Sequence, residues 1–392
     1  DTKMATATAN DINISLLASA SAPGKLILFG EHAVVYGQPA IAACLSDLRI
    51  RVDVSTNEND DIIAVDLPDL KPDPLCIEIP CHALMALSKS DGSDNGASNI
   101  TSSDSASNSI DLHSALVQRG PPTPDDANKI RKMLTNLKKS NSIDVDLSEL
   151  HLSALVPLIY LMNTLKVLEA AKIDDNKKIN DNVNGHQTKR PRPRGRWRGL
   201  SIVVKSENLP LGAGLGSSAA FSVAASAALY KVVLSFRGVS NDNNNRNDDG
   251  KVVLVQPAKD QLDVINTLAF YSETLIHGTP SGIDNTVSCY GGALQYIKSK
   301  YGNTNSDKDT AQEKEEEGGT TFIENFPPLN VILTNTNVPR STKILVQGVR
   351  DWREEYPAIA DPILDSIGRI GRTFCKNVLQ QVENQQQSQS TS

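Results

Sequence analysis

Apolar residues fall in blocks along the chain, and their spacing switches between the two-residue period of a strand and the longer period of a helix. Lys25 to Phe29 and Ala40 to Val54 read as strands on either side of a GEHAVVYGQP turn that opens a helical segment. The run GLSIVVKSEN reads as a strand, and Ala219 to Leu229 carries enough Ala, Val and Phe for a buried helix. Helical spacing recurs over Leu152 to Leu168, Gln261 to His277 and Lys343 to Trp352, while Asn330 to Thr334 is a short apolar strand candidate. Strands and helices alternate without a repeating unit, so the fold class expected is α+β, in two parts.

Polar tracts interrupt this pattern at Ser88 to Ser109, Asp174 to Arg196, Asn241 to Gly250 and Lys298 to Gly319. Each lacks the large apolar groups that repay ordering entropy, so each reads as a surface insertion. The last is the best boundary between the two parts. Lys189, Arg190, Arg192, Arg194, Arg196 and Arg198 form a basic run, but prolines interleave the charges and the run feeds a strand, which favours a solvated face. Glu313 to Glu317 reads the same way, and the Gln/Ser tail from Gln385 reads as disordered.

The 392 residues suffice for two domains, and 39% hydrophobic content suffices for their cores. A formal charge of -7 argues against a general nucleic-acid binder. No apolar stretch is expected to span a bilayer. Five cysteines without a CxxC pair, in a chain whose first twenty residues lack a signal-peptide pattern, point to reduced thiols and a cytoplasmic protein. The histidines are dispersed, so no zinc site is expected. Asp1, with Met4 close behind, reads as a fragment edge.

The most informative segment is LPLGAGLGSSAA, Leu209 to Ala220, placed between a strand and a helix. Gly212, Gly214 and Gly216 allow sharp bends or close approach to a ligand, and Ser217 and Ser218 can cap the helix. Amide groups at a helix start attract anions. The segment has neither the Gly-Lys-Ser/Thr ending of a P-loop nor the GxGxxG of a dinucleotide site. A capped turn without a ligand is the bland alternative.

Three further segments make sense as parts of one site. In SAPGKLILFGEHAVVYG, Lys25 opens a strand and Glu31 and His32 lie beyond its end. A lysine there supplies a mobile cation or merely covers a strand edge. In HGTPSGIDNTVSCYGG, Asp284 sits among small residues, placed for a general base, a metal ligand or a helix cap, and Glu273 lies on the helical pattern just before. In TNTNVPRSTKILVQG, Arg340 can clamp a carboxylate or phosphate, with Thr342 beside it. Phosphoryl transfer needs a phosphate cradle, a metal, a cation and a group that handles the accepting hydroxyl. These segments supply each part.

Together SAPGKLILFGEHAVVYGQPA, LPLGAGLGSSAAFSVA, HGTPSGIDNTVSCYGGALQY and LTNTNVPRSTKILVQGV resemble the mevalonate kinase family of the GHMP small-molecule kinases, in the family's own order from Ser21 to about Gly348. Ala33, Val34 and Val35 after Glu31 and His32 distinguish this pattern from galactokinases, homoserine kinases and phosphomevalonate kinases. The resemblance implies a ribosomal-protein-S5-like N-terminal domain over 12–298 and an incomplete ferredoxin-like C-terminal domain over 320–384, with 385–392 as a tail. It implies ATP-dependent phosphorylation of the C5 hydroxyl of mevalonate, in isoprenoid and sterol precursor synthesis.

By resemblance Asp284 is the catalytic aspartate and Lys25 its partner. Gly212, Ala213, Gly214, Leu215, Gly216 and Ser217 form the phosphate loop, and Ser218 and Glu273 hold Mg2+. Glu31, His32, Arg340 and Thr342 lie at the mevalonate pocket. A homodimer and inhibition by prenyl diphosphates are implied too. The family also carries a KxTGAGGGG-like third motif and closing strands, for which these residues hold no match. The expectation is therefore weak or no turnover by these 392 residues alone, and full turnover by a chain continued through that motif. The other readings are a relative acting on another small alcohol, and a truncated non-catalytic relative that binds nucleotide or a partner.

Overall fold

The computed structural model describes residues 15–89, 109–140, 142–165, 199–236, 256–298, 319–334 and 342–390. The four polar tracts, apart from their ends, the basic run through Arg198, and Arg340 with Ser341 lie outside the described residues. The chain divides into two compact units, one of Asp1–Ala20, Arg51–Lys205 and Ala224–Ile276, the other of Ser21–Ile50, Ser206–Val223 and His277–Ser392. Both mix helix and sheet, the α+β character expected.

In the first unit, strands β3 (Ile62–Leu67) and β4 (Leu75–Pro80) pair antiparallel, with Ile63 opposite Ile79 and Val65 opposite Ile77. β3 also pairs parallel with β5 (Leu200–Glu207), Val65 opposite Ile202. Alternate side chains point to one face, and Ile63, Val65, Leu67, Ile77 and Ile79 are all buried there. Helices α1 (Cys81–Lys89), α3 (Pro124–Lys139) and α4 (Glu149–Thr164) pack together. A Thr123 capping box starts α3, whose Ile130, Leu134 and Leu137 form its buried stripe. Between α1 and α3, α2 (Ser109–Arg119) is tied to α6 (Lys259–His277): the Tyr271 hydroxyl donates to the Leu116 carbonyl at 2.6 Å, and His113 bonds Thr267 at 3.1 Å.

No disulfide joins the five cysteines. Burial pushes the Cys81 thiol up to about 11, and the Asp61 carboxylate adds to this, whereas Cys76 is exposed. Thiolate is the reactive form. Iodoacetamide at pH 8 is therefore expected to label Cys76 in the native protein and to reach Cys81 only after unfolding. Equal labelling rates, read by peptide mass spectrometry, would mean that the native fold does not bury Cys81.

In the second unit, the first residues of β2 (Ala40–Thr56) pair antiparallel with β6 (Ala293–Ile297), Ala42 opposite Leu294, and β6 pairs with β7 (Gly319–Phe322). The two-residue period sorts the core. Ile41, Ala43 and Ala293 face Ile323, Cys375 and the rings of Phe29 and Phe374, while Ala42 and Leu294 face Ile283 and Val287 of α7 (Ile283–Tyr290). Cys375 and Phe374 belong to the long helix α9 (Pro357–Ser390), which follows α8 (Thr342–Glu355). Strands β1 (Leu16–Phe29), β2 and β5 and helices α5 (Ser217–Phe236) and α6 have residues in both units.

Several expectations change. Asn330–Thr334 is irregular rather than a strand, with Ile332 97% exposed, because among the described residues no strand pairs with it. The Gln/Ser tail continues α9 as far as Ser390, since glutamine is a fair helix former and nothing there stops the helix. The expectation that no segment is long and apolar enough for a bilayer is corrected by the 20-residue α5, which passes on length and composition. In the structure 72% of its apolar window is buried, the position of a core helix.

Candidate active site

The glycine-rich loop enters α5 at Ser217, as the sequence implies. Gly212, Gly214 and Gly216 take φ of 75°, 77° and 70°, in the left-handed region. Beside Gly212 and Gly214 the space a Cβ would fill is open to 4 Å. Gly216 differs: a Cβ there would lie 2.7 Å from Cγ of Lys25. Sequence at this position thus answers to both backbone conformation and close approach. The Lys25 amide donates to the Leu215 carbonyl at 2.9 Å, fastening β1 to the loop.

Lys25 is 7% exposed, and its Nζ lies 3.1 Å from Oδ2 of Asp284. Asp284 stands in the first turn of α7, where a carboxylate is favoured by the exposed amides. It is not the cap. Gly282 holds that position without a side-chain hydrogen bond, so the capping alternative for Asp284 falls away and its carboxylate faces the lysine. Buried Ser288, one turn along α7, donates to the Pro23 carbonyl at 2.6 Å and fixes the helix against the start of the Pro-Gly-Lys run.

Ser218 Oγ lies 3.1 Å from Nε2 of His277 at the end of α6. Burial pulls the His277 imidazole below its ordinary range, and the nearby Asp284 carboxylate partly opposes this. His277 and Ser288 were not singled out by the sequence reading. The signal for His277 was its position four residues after Glu273 on one helical pattern; nothing in the sequence marked Ser288.

The structure thus brings Lys25, Asp284 and the loop from Leu215 to Ser218 together within the second unit. Glu31 is exposed and His32 half-buried beyond the end of the same β1, where His32 takes φ of 64° before a 3-10 turn over Ala33–Tyr36. Glu273 is 3% exposed on α6, in the first unit. Thr342 opens α8, though its side chain, like Arg340, lies outside the described residues. Among the described residues no group of three or more His, Cys, Asp or Glu side chains gathers as a ready metal site. The hydroxyl of Ser218 is a hard oxygen donor, the chemistry that suits an ion sharing its shell with water and phosphate.

The model of the GHMP kinases N terminal domain matches residues 183–246, the segment that contains the loop. The mevalonate kinase of Homo sapiens is 30% identical over 359 residues, covering 92% of this chain and 68% of the human one. That of Mus musculus is 31% identical, covering 92% of this chain and 69% of its own. A solved structure of L. major mevalonate kinase in complex with R-mevalonate is 18% identical, covers 94% of this chain and 71% of that one, and superposes loosely at a TM-score of 0.42. With the paired Lys25 and Asp284 standing against the glycine-rich loop, and 30% identity over two thirds of a curated relative, the chain belongs to the mevalonate kinase family of GHMP kinases.

Proposed function

We propose that the protein transfers the γ-phosphoryl group of ATP to the C5 hydroxyl of mevalonate, giving 5-phosphomevalonate and ADP for isoprenoid and sterol precursor synthesis. The observation that supports this most is the 3.1 Å Lys25–Asp284 pair set against the loop through the bond from the Lys25 amide to Leu215. The amides from Gly212 to Ser217 hold the phosphates. Asp284 takes or orients the C5 hydroxyl proton as that oxygen bonds to phosphorus and the bond to ADP breaks. Lys25 offsets charge on the reacting oxygens.

Mg2+ would be held by Ser218 and Glu273, and when bound it screens the phosphate charge. Glu31, His32, Arg340 and Thr342 are assigned to mevalonate. Residues 12–298 form the ATP- and substrate-binding domain in this reading, and 320–384 part of a second. A cytoplasmic homodimer belongs to the same proposal.

Coupled detection of ADP tests it. Release is expected to require mevalonate, with no stimulation by galactose or homoserine. Stimulation by either in place of mevalonate would overturn the substrate assignment.

A further inference from the structure

One polar contact at the loop is left without a role by this chemistry: the 3.1 Å approach of His277 Nε2 to Ser218 Oγ. A serine hydroxyl carries one proton and two acceptor lone pairs. To serve a cation it must offer a lone pair, and a freely rotating proton competes for the same side of the oxygen. A neighbour that accepts the proton settles the rotor. His277 is placed to do so by the way α6 ends, since it is the last helical residue and Gly278 follows at φ 81°. Ser218 is fixed in turn by the first turn of α5. The two side chains thus meet at two helix ends.

From this geometry we infer that His277 is a positioning residue for the phosphate loop: its Nε2 accepts the Ser218 O–H and so presents the serine oxygen to the metal of the metal–nucleotide complex. The inference rests on the kinase reading above. It requires the imidazole proton on Nδ1, because Nε2 must be the acceptor. The effect is on Mg–ATP, and reaches mevalonate only through it. A merely structural histidine, interacting with the α6 carboxyl terminus, would make neither demand.

Two measurements on the full 392-residue chain decide it. Long-range 1H–15N NMR without nucleotide is expected to show the Nδ1–H tautomer of His277, and Ser218→Ala is expected to shift the Nε2 signal. An Nε2–H tautomer overturns the inference. Titration with a fluorescent ATP analogue, with and without Mg2+, is the second. His277→Ala is expected to weaken the Mg2+-dependent affinity about tenfold, the scale of losing a residue that orients a metal ligand. Metal-free binding and the melting temperature should stay close to those of the unsubstituted chain.

His277→Gln, whose amide oxygen can accept the same proton, is expected to restore most of the loss. Adding His277→Ala to Ser218→Ala should cost little more than Ser218→Ala alone. Additive losses, or equal weakening of metal-free binding, overturn the inference while leaving the kinase reading intact. Absence of any Mg2+-dependent ATP affinity in the unsubstituted chain would instead sink the kinase reading, and the metal role of Ser218 with it.

Discussion

Asp284→Ala is expected to remove turnover by about two to four orders of magnitude, the range associated with a positioned acid or base, while ATP affinity stays within about threefold. The separation follows from where the carboxylate sits. Asp284 faces Lys25 at 3.1 Å from the first turn of α7, whereas the loop that would hold phosphate is built on the entry to α5. Removing the carboxylate deletes the group proposed to handle the accepting hydroxyl and leaves the amides of the loop in place. Lys25, only 9% exposed along its side chain, then loses its anionic partner. A buried charge without a partner is costly, so a lower melting temperature should accompany the loss of turnover. Asp284→Asn separates the two effects by keeping shape and hydrogen bonding without the charge. Equal loss of nucleotide affinity and turnover in both variants would mean that Asp284 belongs to the phosphate cradle instead.

Gly216→Ala is expected to have the second large effect, with Gly212→Ala as its control. Both positions lie in the left-handed region, φ 70° and 75°, so each alanine incurs backbone strain on the order of 1 to 2 kcal/mol. Beyond this the two differ. A Cβ at Gly212 meets nothing within 4 Å, while one at Gly216 would lie 2.7 Å from Cγ and 3.3 Å from Cε of Lys25. The lysine stem must move, and its ammonium with it. Gly216→Ala is therefore expected to lower turnover at saturating ATP by about 100-fold, because displacements near 1 Å can cost that much. Gly212→Ala should show mainly the strain, as a reduced denaturation midpoint. Equal turnover in the two variants would show that the Lys25 position does not depend on Gly216.

The parts of this protein that could be read from its sequence are those whose residue types serve one purpose. The alternating glycines before an Ala-rich run had few uses other than a tight loop at a helix start, and the structure places them there. The apolar spacing of Gln261 to His277 matched α6 to within two residues at its start. By contrast, β3 and β4 are short, and their identity as strands comes from pairing with each other and with β5, which no local window contains. Asn330–Thr334 failed for the converse reason, an apolar run that finds no partner among the described residues.

The site shows the same division. Lys25 and Asp284 stand out from their neighbours and are paired by the family resemblance, while the fold supplies their 3.1 Å separation and shows that Gly282, not Asp284, caps α7. Ser288 was invisible because a serine that holds one carbonyl of a distant proline looks like any other serine.

The run of small residues in β2 sets a dimension as well as a core. From β2, Ala42 packs against Ile283 and Val287, one face of the helix that carries Asp284. It works as a shim: its single methyl group fixes the standoff of that helix, and the standoff fixes how far the carboxylate reaches toward Lys25. Bulk added at Ala42, a position with no polar atom in its side chain, would be read out as a gap between Lys25 and Asp284. A residue with no polar side-chain atom thus bears on the 3.1 Å Lys25–Asp284 pair.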